Sequence, residues 1–131
     1  MKQLIGMNPI LSFAVLKAIE ITAQDFGILN KGGVRTDAEQ AELYAQGRTT
    51  SGNRVTWTRN SKHQSGNAVD IVAFVDGKPN WETKYYTEIE IAMKRVIRDY
   101  ALDIDWGFDL WGKDYPHWQI TDSKYDIRKL V

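Results

Sequence analysis

The stretch Ser61-Lys62-His63-Gln64-Ser65-Gly66-Asn67-Ala68-Val69-Asp70 carries one of the chain's two histidines, and Asp114-Tyr115-Pro116-His117-Trp118 carries the other. From Asn67 to Val75 the first stretch runs into a strand in which Ala68, Asp70 and Val72 share one face, and Val69, Ile71 and Ala73 the other. Asp70 therefore projects from a rigid element. His117 to Ile120, bounded by Pro116 and by the polar Thr121-Asp122-Ser123, reads as a second short strand, with His117 and Gln119 on the face opposite Trp118 and Ile120. If the two strands are neighbours and His63 lies on the loop entering the first, three nitrogen and oxygen ligands converge. A catalytic zinc takes about three ligands from His, Asp or Glu and keeps a position for water. His63, Asp70 and His117 can fill that shell, which leaves Asp114, three residues before the last ligand, as a general base for the water. Either histidine alone would read as an ordinary surface or core residue; the paired inventory is what points to a metal.

Working outward, Gly66 lets the backbone bend close to the site, and Ala68, two residues before Asp70, leaves room on its face. Upstream, a helix starts near Pro9 and ends before Gly27, with Leu11, Val15, Ala18, Ile19 and Thr22 at amphipathic spacing. Phe26 to Asn30 reads as a short strand and Lys31-Gly32-Gly33 as a turn. Thr36-Asp37-Ala38-Glu39 is a capping box opening a helix that carries Ala41, Leu43 and Tyr44 and stops at Gly47, so Arg35 stands just before a helix N-terminus. Arg48 to Ser61 is a polar loop in which only Val55 and Trp57 alternate. Downstream, Asp76-Gly77 is a turn, and Trp81 to Leu102 is the longest helix, with Ile89, Met93, Val96, Ile97 and Tyr100 on its buried stripe. Trp106 to Tyr115 reads as an aromatic, glycine-containing loop.

At 131 residues the chain is expected to form a single domain, 1–131, large enough to bury a core. It has no cysteine, so disulfides and thiolate ligands are excluded and a metal must be held by nitrogen and oxygen. Lys plus Arg balance Asp plus Glu at 17 each without long runs of one sign, which argues against nucleic acid as a partner. The apolar stretch Leu4 to Leu16 is interrupted by Asn8 and Pro9 and is followed by no small-residue cleavage pattern. It is read as a core helix, not a signal peptide, and no span is long enough for membrane insertion.

The pattern Ser61-x-His63-x-x-Gly66-x-Ala68-x-Asp70 followed by Asp114-x-x-His117 resembles the zinc peptidases that cleave bacterial cell-wall peptides, among them D-alanyl-D-alanine carboxypeptidases and the L-alanyl-D-glutamate endopeptidases of phage endolysins. The likeness is greatest to the endolysin branch. It extends over about residues 4 to 120 through Ala18 to Thr22, Asp25-Phe26, Gly33-Val34-Arg35-Thr36, Gln40, Gly47 and Trp106-Gly107. The resemblance implies an α+β fold, a small, mostly antiparallel sheet flanked by about three helices, of the hedgehog and D-Ala-D-Ala peptidase kind. It also implies Zn2+ bound by His63, Asp70 and His117, Asp114 as the catalytic carboxylate, and Arg35 near the site to bind a substrate carboxylate or steady an oxyanion. Ser61 matches a family position expected to contact substrate or a ligand. Trp106 and Trp111 are candidates to line the peptide groove, whereas Trp81 and Trp118 are expected to pack. Two departures stand out: Trp106-Gly107-Phe108-Asp109-Leu110-Trp111 has an added bulky residue and a shifted tryptophan against the family's Trp-Gly-Gly-Asp-Trp, and Trp118 replaces a phenylalanine.

The function so implied is hydrolysis of the peptidoglycan stem peptide between L-alanine and D-glutamate for host lysis. The rivals are a D-alanyl-D-alanine carboxypeptidase and a non-catalytic, metal-stabilised wall-binding module. Such an enzyme is expected to be a monomer, made in the host cytoplasm without a signal peptide and released to the periplasmic face of the wall through a separate holin-like pore.

Overall fold

Asn67 to Val75 is the hinge of the architecture, and it is two strands where the alternating pattern predicts one. The computed structural model describes residues 4–29, 33–34, 36–46 and 66–121. In it β2 (Ala68–Asp70) and β3 (Val72–Val75) belong to different three-stranded antiparallel sheets. With β1 (Phe26–Gly27) and β4 (Lys78–Asn80), β3 forms the sheet ordered β1-β3-β4; β2, β5 (Ile104–Trp106) and β6 (His117–Ile120) form the sheet ordered β2-β6-β5. The break falls at Ile71, whose N–H donates to the Pro116 carbonyl at 2.9 Å, while the Phe74 N–H donates to the Asp25 carbonyl at 2.9 Å. The alternation survives the break, because Val69, Ile71 and Ala73 all enter the hydrophobic core.

The helices cover this core. α1 (Pro9–Ile21) starts at Asn8, whose side-chain oxygen accepts from the Ile10 N–H at 2.9 Å, with Pro9 in the first turn where its missing N–H costs nothing. Leu11, Ala14, Val15 and Ala18 are buried and pack on Ile89, Ala92, Met93 and Val96 of α3 (Thr87–Asp99). The Leu, Val, Ile and Met side chains among these each contribute roughly 1.5–3 kcal/mol when fully buried. α2 (Asp37–Ala45) has the expected capping box, with Thr36 Oγ1 accepting from the Glu39 N–H and Glu39 Oε1 accepting from the Thr36 N–H.

The Asp76-Gly77 turn forms as expected, while several other details differ from the sequence reading. Residues 81–86 are not helical in the α sense: Trp81 is 55% exposed, and a 3-10 turn over Thr83–Tyr86 precedes α3. Asp76 and Gly77, both at positive φ, close a tight hairpin from β3 into β4, whose Lys78-Pro79-Asn80 is an exposed edge strand without an apolar signal. Tyr100 caps α3 and is half-exposed, its ring edge-on to Phe13 at 4.8 Å instead of buried. The stretch expected as an aromatic loop contains the end of β5 and a short helix, α4 (Gly107–Trp111), closed by Gly112 in the left-handed region. No described helix is long and apolar enough to cross a membrane.

Candidate functional site

β2 and β6 pair antiparallel with Asp70 directly opposite His117, and the two side chains meet on one face of the sheet. His117 Nδ1 lies 3.0 Å from Asp70 Oδ1, and the other ring nitrogen donates its N–H to Gln119 Oε1 at 2.9 Å. Period-two alternation along β6 puts residues 117 and 119 on the same side, so the histidine's orienting acceptor comes from its own strand. With Nε2–H committed to Gln119, a neutral ring presents the Nδ1 lone pair to a carboxylate oxygen. Two acceptors at that distance require a cation between or beside them. Either Nδ1 is protonated and donates to Asp70, or a metal ion takes both lone pairs. A histidine ligand whose second nitrogen is held by a carbonyl-type acceptor is the usual arrangement at metal sites, so these residues fit a zinc ion.

The electrostatics agree with a site built for positive charge. Burial works against the imidazolium of His117, but the hydrogen bond and negative charge of Asp70, with help from Gln119 and the charge of Asp114, outweigh it and hold the pKa above the usual 6.5.

The turn that carries Asp114 is fixed at every carbonyl. The Asp114 oxygen accepts from the His117 N–H at 3.3 Å, the Tyr115 oxygen from the Trp106 indole N–H at 2.7 Å, and the Pro116 oxygen from the Ile71 N–H at 2.9 Å. Asp114 itself sits at φ +73°, a conformation that Asp and Asn tolerate better than most residues. Behind the turn lies Gly107, where an added Cβ would stand 2.7 Å from the Asp114 carbonyl oxygen and 3.0 Å from His117 Cβ. Only a residue without a side chain lets α4 begin so close to the turn. The opposite approach, into β2, is secured by Asn8 and Asn67: Asn8 Nδ2 donates to Asn67 Oδ1 at 3.1 Å, and the Asn67 carbonyl accepts from the Ile120 N–H at 2.9 Å.

The structure thus brings Asp70, His117 and Asp114 into one region. Arg35, Ser61 and His63 lie outside the described residues, as do the polar loop over 48–61 and the tail beyond Thr121. Among the described residues no group of three His, Asp or Glu side chains is gathered tightly enough to hold a metal. Trp111 is half-exposed on α4, with its ring 5.3 Å from that of His117. Trp106, expected to line the peptide groove, packs in the core instead: it is 4% exposed, stacked on Trp118 at 5.6 Å, and its polar edge is used by Tyr115. The cross-strand register Trp106↔Trp118 buries it. Trp118 packs as expected, although its indole N–H has no acceptor among the described residues. A cavity of about 630 Å³ opens elsewhere, between α3 and β5, and includes none of Asp70, Asp114 or His117 in its lining. Gln119 and Gly107 are the residues that motif reading undervalued. The signal for Gln119 was its two-residue spacing from His117, whereas for Gly107 the sequence showed only a short Trp-Gly pair.

The chain belongs to the phage L-alanyl-D-glutamate peptidase family, whose model it matches over residues 1–128. It is 26% identical over 126 residues to the L-alanyl-D-glutamate peptidase of Escherichia phage T5, covering 95% of this chain and 88% of the relative. It is 36% identical over 106 residues to the peptidoglycan L-alanyl-D-glutamate endopeptidase CwlK of Bacillus subtilis strain 168, covering 70% of this chain and 59% of CwlK. The crystal structure of Serratia marcescens L-Ala D-Glu endopeptidase ChiX matches with a TM-score of 0.79 and 31% identity over 95% of this chain and 88% of that one. The α+β fold of small antiparallel sheets flanked by helices is the one it shares with ChiX.

Proposed function

We propose that the chain is a zinc-dependent endopeptidase, folded as one domain, that hydrolyses the L-alanyl-D-glutamate bond of the peptidoglycan stem peptide and so helps lyse the host. The observation that carries this reading is the 3.0 Å approach of Asp70 Oδ1 to His117 Nδ1 across paired strands, with Nε2 already committed to Gln119. His63, Asp70 and His117 would hold the ion. When bound, zinc supplies Lewis acidity, polarising the scissile carbonyl and making its water acidic.

The chain's own residues do the rest. Asp114 takes the proton of the attacking water as the new C–O bond forms, then passes it to the departing D-glutamate nitrogen as the C–N bond breaks. Its tethered turn holds the carboxylate in place for both transfers. Arg35 pairs with the free α-carboxylate of D-glutamate in two-point fashion, a contact suited to guanidinium geometry. Ser61 contacts substrate, and the half-exposed Trp111 lines the peptide groove next to His117. The enzyme acts as a monomer on the wall, reached from the cytoplasm through a separate holin-like pore.

The test is mass spectrometry of purified peptidoglycan digested with the protein, with chelator, and with zinc restored. New D-glutamate amino termini that vanish with chelator and return with zinc are expected. Released D-alanine would instead make it a carboxypeptidase, and wall binding without any metal-dependent product would make it a binding module.

A further inference from the structure

Lys94 is a partly exposed residue of α3 that touches both elements supporting the Asp114 turn. Its Nζ is 2.9 Å from Asp109 Oδ2 on α4 and 3.2 Å from Glu90 Oε2 on its own helix, and it sits over the Trp106 ring at 4.9 Å. Trp106 and Gly107 are consecutive. The indole N–H of the first holds the Tyr115 carbonyl at 2.7 Å, and the missing side chain of the second admits the Asp114 carbonyl and His117 Cβ. A cation fastened to both the Trp106 ring and Asp109 clamps the junction of β5 and α4 from behind. Among the described residues the other ion pairs of α3 make no such link: Arg95, the next residue, bonds Asp99 at 3.6 Å on the same helix.

We infer that Lys94 is a positioning residue for the Asp114 carboxylate, acting through Trp106 and α4 without touching substrate. The inference rests on Asp114 serving as the base in the reading above. An isolated surface ion pair contributes little to stability, so a purely structural Lys94 would behave like Arg95. Displacement of a catalytic group by about 1 Å can cost on the order of 100-fold in rate, so partial loosening of the turn should still be visible in kcat.

The experiment compares the full chain with Lys94→Met, Lys94→Arg and Arg95→Met, measuring kcat and KM on wall peptide, zinc content, and hydrogen exchange of the Trp106 indole N–H by NMR. Lys94→Met is expected to lower kcat about tenfold, leave KM within about twofold and zinc content unchanged, and speed indole exchange about tenfold. Lys94→Arg, which keeps the charge and a donor for Asp109, should restore most of both, and Arg95→Met should match the unmodified chain. Equal losses in Lys94→Met and Arg95→Met, or unchanged kcat and exchange in Lys94→Met, would overturn the inference. If the unmodified chain has no metal-dependent cleavage, it is the functional reading that fails, and the exchange measurement still decides whether Lys94 secures the bond from Trp106 to the turn.

Discussion

The backbone of Gly107 lies against that of Asp114 so closely that one added carbon at residue 107 would stand 2.7 Å from the Asp114 carbonyl oxygen. The neighbour is backbone and cannot swing aside. Gly107→Ala should therefore push the Asp114 turn outward, with an overpacking cost of about 1–3 kcal/mol in stability and a loss of turnover. Thermal unfolding and kcat on wall peptide check this; a variant with unaltered kcat would show that the turn yields without moving the carboxylate.

Asp114→Asn separates binding from chemistry. Asn tolerates the left-handed φ of +73° as Asp does, so the turn should persist and zinc should still bind. Loss of a general base costs about 100- to 10,000-fold, which should appear in kcat with metal content unchanged. Normal cleavage by this variant would remove Asp114 from the mechanism.

The bond from His117 Nε2–H to Gln119 Oε1 selects Nδ1 as the nitrogen that meets Asp70. Gln119→Leu removes the acceptor, so zinc affinity should fall about 10- to 100-fold, whereas Gln119→Glu should retain it. Competition titration with a chromophoric chelator measures the difference, and equal affinities in all three proteins would rule out an orienting role.

Proton and metal compete for the same pair. In the metal-free protein the raised pKa of His117 means that the folded state binds the proton more tightly than the unfolded chain. Its contribution to stability is complete below the unfolded value near 6.5 and lost as pH rises through the folded one. Zinc needs the neutral ring, so the stability it adds should grow with pH over the same range. Melting temperatures with chelator and with zinc should lie together in mild acid and separate toward alkaline pH. Parallel curves would count against a shared site.

The sequence alone determined the identity of the chemical groups and their local presentation. Alternation along residues 67–75 and 117–120 placed Asp70 on one strand face and His117 with Gln119 on another, because successive side chains in a strand point to opposite sides. The capping box at Thr36 and the Asn8-Pro9 helix start were likewise local, each settled by a side chain bonding a backbone group a few residues away.

Only the tertiary structure decided how these pieces meet. Whether 67–75 is one strand or two depends on which carbonyl Ile71 finds, and that carbonyl belongs to Pro116, far along the chain. Trp106 looked like a groove residue because an aromatic loop carries no mark of burial; its pairing with Trp118 put it in the core. The closeness of Gly107 to Asp114 and the clamp from Lys94 to Asp109 are contacts between elements whose residues have no periodic signal in common. Local patterns follow from steric and hydrogen-bonding rules within a few residues, whereas the site depends on register and packing between segments, which close-packing fixes only after the chain has folded.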